Sequence, residues 1–357
     1  MRAKMTPVAE QLELLPREPA AVQIFGKERS HVSSTFADNM KLPIHRWFRY
    51  SAGFSAQWVS EVVTDAARQN TVTLFDPFAG SGTTLLVGQQ CGVRSAGIEA
   101  HPFVARIART KLLWQEDDEL FCRFAYSVLS RAKKEGGGTE GYSGLIYKCF
   151  PDDILGELDA IKRAWLSVAD GSAASELTWL ALTAILRICS PVGTSNMELI
   201  QPKKRKLSSL RPFAAFPAQV DLMLLDMQSV QRRAGRAAAA IHQDDARVCR
   251  DIDDDYANLV ITSPPYVNNF DYADATRLEM TFWGEVAGWA DLHQKVRRHL
   301  IPSCAQHMSY VHQDLDHLLR DGTVLPIIPE LREVCERLAE ERVLHGGKKN
   351  YHLETIP

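Results

Sequence analysis

The chain lacks the features that mark several large classes of protein. Its seven cysteines, at 91, 122, 149, 189, 249, 304 and 335 of 357 residues, include no CxxC pair. Thiols dispersed in this way argue against a zinc site and against a disulfide framework, and a reducing cytoplasm is their simplest home. No apolar run approaches the roughly 20 residues that span a bilayer. The N-terminal stretch carries scattered charges and no apolar core of a secretory signal. Neither sign of charge dominates: 41 Lys and Arg stand against 44 Asp and Glu, a net charge of −3. Composition alone therefore points to no polyanionic partner, and any such reading must rest on local patches. Internal repeats and long low-complexity tracts are missing as well. Hydrophobic residues, by contrast, make up 45% of the chain, which excludes disorder as its main state.

Residues 1–40 read as a polar lead-in, followed by the aromatic segment KLPIHRWFRY and a helix from about Ser55. TVTLFDPFAG is a buried strand feeding a glycine turn, and TTLLVGQQCG a helix stopping at Gly92. RSAGIEA gives a second strand and HPFVARIARTKLLW a second helix. Strand, turn, helix, strand, helix opens a doubly wound parallel sheet. Residues 115–200 are mostly helical, broken by KKEGGGTEGYSG; a basic, proline-punctuated loop over 201–217 and a helix over about 218–236 follow. The sheet resumes in AAAAIHQDDAR and YANLVITSPPY. Strands are expected near 71–76, 94–98, 238–242 and 258–262.

The turn Asp76-Pro77-Phe78-Ala79-Gly80-Ser81-Gly82-Thr83-Thr84 allows a ligand to approach the main chain closely. No Lys follows Gly82, so a P-loop for triphosphates is excluded, and the third glycine of the dinucleotide fingerprint is missing. Glu99 ends the second strand, 17 residues after Gly82, where a carboxylate can accept both hydroxyls of a ribose. An adenosine ligand without a pyrophosphate fits this pair, and S-adenosylmethionine (SAM) is the leading candidate. Either feature alone is equally an ordinary tight turn.

Leu259-Val260-Ile261-Thr262-Ser263-Pro264-Pro265-Tyr266 is the most informative stretch. Two prolines at the carboxyl end of a strand fix the backbone and remove donors, leaving carbonyl oxygens aimed outward. Ligands of open α/β sheets bind outside those strand ends. Acceptors on Ser263 and Pro264 beside an aromatic Tyr266 suit an exocyclic base amine. They would draw its protons and free its lone pair, while Tyr266 stacks on a base rotated out of the duplex.

Together, DPFAGSGTT, GIEA and TSPPY resemble the exocyclic-amino DNA methyltransferases of N4-cytosine or N6-adenine type, over roughly residues 41–110 and 237–300. The resemblance implies a Rossmann-like SAM-methyltransferase fold. Asp76, Phe78, Gly80 and Gly82 would line the methionine moiety, Thr83 would also bind the cofactor, Glu99 would bind ribose and Asp245 the adenine amine. It makes Ser263, Pro264, Pro265 and Tyr266 the target-base site, with double-stranded DNA as partner. Serine before the two prolines favours cytosine N4 over adenine N6, and the absence of a Pro-Cys nucleophile there disfavours cytosine C5. HRWFRYSAGFSAQWV resembles the segment that closes over the methionine end of the cofactor.

The helical region 111–236 is then an insertion and a candidate for target recognition. Its stretch 201–236 holds eight basic residues against two acidic ones, and Lys203, Lys204, Arg205 and Lys206 are its candidate phosphate contacts. A solvated charged face is the competing explanation. The acidic turn Asp251, Asp253, Asp254 and Asp255 reads as a solvated loop rather than a metal site. His45, Trp47, Phe48 and Tyr50 could form a lid or pack under the first helix; Asn268, Asn269, Asp271 and Tyr272 could touch the flipped base. The resemblance implies more strands than the four found, and the helical tail 301–357 offers none. Either a second polypeptide completes the sheet, or the chain is a truncated relative that binds SAM or DNA without turnover. An RNA amino-methyltransferase is the remaining alternative.

Overall fold

The computed structural model describes residues 36–195, 199–266, 270–301 and 328–345. Asn268, Asn269 and Cys304 lie outside the described residues, as do the stretch 312–321, expected to be helical, and most of the apolar run 323–329.

In chain order the elements are α1 (Ala56–Gln69), β1 (Thr73–Asp76), α2 (Thr83–Gln90), β2 (Arg94–Ile98) and α3 (Pro102–Leu112). A helical block follows: α4 (Asp118–Glu135), α5 (Gly144–Cys149), α6 (Asp152–Leu166) and α7 (Ala173–Cys189). Next come a hairpin of β3 (Val192–Thr194) and β4 (Ile200–Arg205), helix α8 (Pro212–Gln231), and strands β5 (Ala239–His242) and β6 (Leu259–Val260). Helices α9 (Arg277–Trp283), α10 (Trp289–Lys295) and α11 (Ile328–His345) complete the described elements.

Four strands form a parallel sheet in the order β5-β2-β1-β6, with Leu74 opposite Ser95 on one side and Leu259 on the other. The chain steps outward from β1 through β2 to β5, then returns to the far side of β1. That reversal makes the gap between the carboxyl ends of β1 and β6 the topological switch point, where open α/β sheets bind ligands. All four expected strands are present within two residues. The fold class is α/β with a Rossmann-like parallel sheet, as expected.

Local chemistry explains the framework. Ser55 caps α1 by accepting the amide of Trp58, and Gly92, at φ 73°, ends the turn after α2 in a conformation that suits glycine. One face of the sheet packs Leu74, Leu259 and Ile261 against Val59 and Val63 of α1 and Val87 of α2. The helical block does not have a core of its own. Leu85, Phe103, Trp114, Trp179 and Phe216 belong to one continuous apolar cluster joining α2 and α3 to α4, α7 and α8. Trp179 meets Phe103 edge-on at 5.3 Å, a contact worth about 1 kcal/mol beyond area burial.

Residues 201–217 are not the loop that their prolines suggest. Ile200–Arg205 is a strand paired antiparallel with β3, its isoleucine buried and its cations exposed. Pro202 is tolerated because a two-stranded hairpin is all edge. Helix α8 starts at Pro212, not near Ala218; proline at a first helical position sacrifices no intrahelical bond. No described helix is long and apolar enough to cross a membrane.

Candidate active site

Strand β1 ends on Asp76, whose side chain is fully buried. Its Oδ1 accepts the Phe78 amide at 3.0 Å and so shapes the turn, while its Oδ2 is buried without a hydrogen-bond partner. Burial pushes this carboxyl up to about 6, against the opposing pull of the Thr84 and Thr262 hydroxyls and the Phe78 amide. Gly80 and Gly82 sit at φ 51° and 86°, left-handed angles that favour glycine. A Cβ on Gly80 would touch the Tyr50 ring at 3.4 Å, and one on Gly82 would press on the Ala108 Cβ at 3.2 Å.

Glu99 follows directly on β2. Its Oε2 accepts the Gly80 amide at 2.9 Å and its Oε1 the His101 amide at 2.7 Å. The carboxylate thus ties the glycine turn to the start of α3 and keeps a further lone pair on each oxygen. Burial, with a smaller contribution from Asp76, raises it to about 7 despite these bonds. The His101 ring is buried and driven down to about 3, chiefly by burial, so it is neutral. Its Nε2 pairs with Thr276 Oγ1 at 3.0 Å, and its Nδ1 is buried without a partner.

On the other side of the switch point, the Ser263 Oγ and Tyr266 Oη lie 3.0 Å apart. The Tyr272 hydroxyl accepts the Tyr266 amide at 2.9 Å and braces the double proline. Pro264 and Tyr266 are exposed, Tyr266 by 55%.

These parts meet in one cleft of about 640 Å³, open mouth included. Its walls bring together Tyr50, Phe78, Gly80, Glu99, His101, Asp245, Ser263, Pro265 and Tyr272. Asp76, Gly82 and Thr83 stand behind that lining, as the buried end of β1, the cap of α2 and its first residue. Asp245 is already engaged: Arg247 grips both its oxygens, at 2.6–3.1 Å, and this guanidinium holds its carboxyl below the usual range.

The aromatic segment divides its roles. Trp47 and Phe48 belong to the core, and only Tyr50 reaches the cleft. The basic residues divide similarly. Lys203, Lys204 and Arg205 are exposed on β4, but the Lys204 ammonium donates to Thr194 O at 2.7 Å and that of Lys206 to Arg187 O at 2.6 Å. Arg211 is ion-paired with Asp153 and Glu157. Asp271 is bound by Arg297 at 2.6 Å. Among the described residues no group of three or more His, Cys, Asp or Glu is placed to hold a metal.

Sequence reasoning missed His101, Leu300 and Ile301 as lining residues. His101 had a signal, standing two positions after Glu99. Leu300 and Ile301 had none, because a distant segment folds back onto the cleft.

Comparison with known proteins points the same way. The chain is 24% identical to the Type II methyltransferase M.BsoBI of Geobacillus stearothermophilus over 327 aligned positions, covering 77% of this chain and 60% of that protein. It is also 24% identical to the Type II methyltransferases M.AvaI of Nostoc sp. and of Anabaena variabilis, covering 70% of this chain and 56% of each. The chain thus spans a little over half the length of these relatives. No family model and no solved structure matches it. Over most of its length the chain is homologous to Type II methyltransferases.

Proposed function

We propose that the chain transfers a methyl group from SAM to an exocyclic amine of a DNA base, cytosine N4 in preference to adenine N6. The observation that carries this reading is the meeting of Glu99, the Gly80 turn and Ser263 in one cleft at the switch point. The residues present fit the cofactor. Glu99 retains a lone pair on each oxygen for the two ribose hydroxyls, and Gly80, at a left-handed φ that favours glycine, lines the cleft beside it. When bound, SAM supplies an electrophilic methyl on a sulfonium.

The protein's task is to hold and activate the attacking amine. Ser263 Oγ can donate to Tyr266 Oη and so keep its lone pairs for an amine proton, with the Pro264 carbonyl as second acceptor. Drawing on both protons pulls the nitrogen lone pair out of conjugation with the ring. The methylated nitrogen then loses one proton through this acceptor array to water. The exposed Tyr266 ring offers a stacking face for a base turned out of the duplex. Exposed Lys203 and Arg205 on the hairpin are the proposed phosphate contacts, with double-stranded DNA as substrate and a restriction–modification role in the cytoplasm.

A second polypeptide pairing beyond β6 belongs to the same reading. Among the described residues β6 is one of the two edges of the sheet, and its Val260 is 57% exposed, unusual in a parallel sheet. A soluble, fully active monomer would overturn that part alone.

The test is incubation with methyl-labelled SAM and either plasmid DNA or tRNA, followed by nucleoside analysis. Label in N4-methylcytosine of the plasmid is expected. Label in tRNA only would favour RNA, and no label with intact SAM binding would favour a binding module.

A further inference from the structure

The strap formed by residues 44–50 carries Tyr50 to the cleft, and it is held in a costly conformation. Ile44 is fully buried and adopts φ 67°, ψ −47°, a region that a β-branched residue rarely enters. Such strain persists only where the surroundings over-determine it.

Two buried charges supply that constraint. Asp226 of α8 receives the Ile44 amide, the Arg46 guanidinium and the Trp47 indole N–H, all within 3.0 Å. Lys111 of α3 donates its ammonium to His45 O at 3.1 Å and Phe48 O at 3.4 Å. Both side chains are about 2% exposed. Burial pulls Lys111 down to about 7, so its placement carries an energetic cost. His45 beside it is neutral, pushed to about 3 by burial and then by Lys111, and its Nε2 makes no hydrogen bond. Tyr50, at the end of the strap, packs 3.4 Å from where a Gly80 Cβ would stand, and burial, then Glu99 and Tyr272, raise its hydroxyl.

We propose that Lys111 and Asp226 are positioning residues for cofactor binding: a buried cation from α3 and a buried anion from α8 clamp the strap so that Tyr50 forms one wall of the cleft. Helix α8, within the 111–236 region that is the candidate for target recognition, is then part of the cofactor site as well. The inference rests on the reading of the cleft as a SAM site.

A double-mutant cycle on SAM affinity in the purified full chain tests it. Lys111→Met is expected to weaken SAM binding about tenfold in the parent, and by less than twofold in a Tyr50→Ala background. Unchanged affinity in Lys111→Met, or equal losses in both backgrounds, overturns the clamp, since a merely structural role does not depend on Tyr50. Should Lys111→Met fail to fold, Asp226→Asn passes through the same cycle with the same expected and contrary outcomes. Absence of SAM binding by the parent chain would instead overturn the reading of the cleft.

Discussion

The two walls of the cleft are built on opposite plans. The wall on β1 and β2 is the dry one: Asp76 is buried behind it and Glu99 is half-buried in it, burial raises them to about 6 and about 7, and both accept backbone amides. The wall after β6, lined by Ser263, Pro265 and Tyr272, is open, with Pro264 and Tyr266 exposed beside it and the hydroxyls of Ser263, Tyr266 and Tyr272 bracing it. A preorganised wall suits a small ligand that binds at each turnover in one pose. An exposed aromatic wall suits a large partner that supplies its own cover.

The sharpest way to break this contrast is to remove the Ser263 hydroxyl from the open wall. Ser263→Ala should lower the rate of methyl transfer by about 100-fold or more and leave SAM affinity within about twofold. A comparable loss in both quantities would show that the walls are not separate. Glu99→Ala should do the reverse. It removes an acceptor of two amides and both ribose hydroxyls, and SAM affinity should drop by about 2 kcal/mol, near 30-fold, by calorimetric titration. Tyr266→Ala should raise the KM for DNA about tenfold through lost stacking, with no change in SAM affinity.

The smallest effect expected is on pH. With Glu99 raised to about 7, the free protein holds it largely protonated at pH 6 and ionised at pH 8. The carboxylate is the stronger acceptor, so SAM should bind a few-fold more tightly at pH 8 than at pH 6. The Glu99→Gln variant, which cannot titrate there, should lose most of that dependence.

The dry wall was also the more legible in the sequence. Its strands are short apolar runs ending at glycine or an acid, and Gly80, Gly82 and Glu99 follow from local spacing, whereas Asp76 is named by the resemblance. The four sheet strands could be placed for the same reason. What could not be read is whatever long-range contacts decide. Ile200–Arg205 becomes a strand only because it meets β3, and α8 starts at Pro212 although Pro217 lies inside it. Asp226 counted only as one of two acids in a basic stretch, yet it is buried and binds a segment 180 residues away. Lys111, on the second expected helix, ends up under the strap instead of in water. Asp245 is named by the resemblance, which says nothing of its grip by Arg247.

The most direct test of the two-wall account is titration of SAM into the purified chain and its Ser263→Ala and Glu99→Ala variants under one buffer. The account predicts saturable binding by the parent, equal binding by Ser263→Ala, and binding weakened about 30-fold by Glu99→Ala. No saturable binding by the parent, or affinity that survives loss of the Glu99 carboxylate, would contradict it.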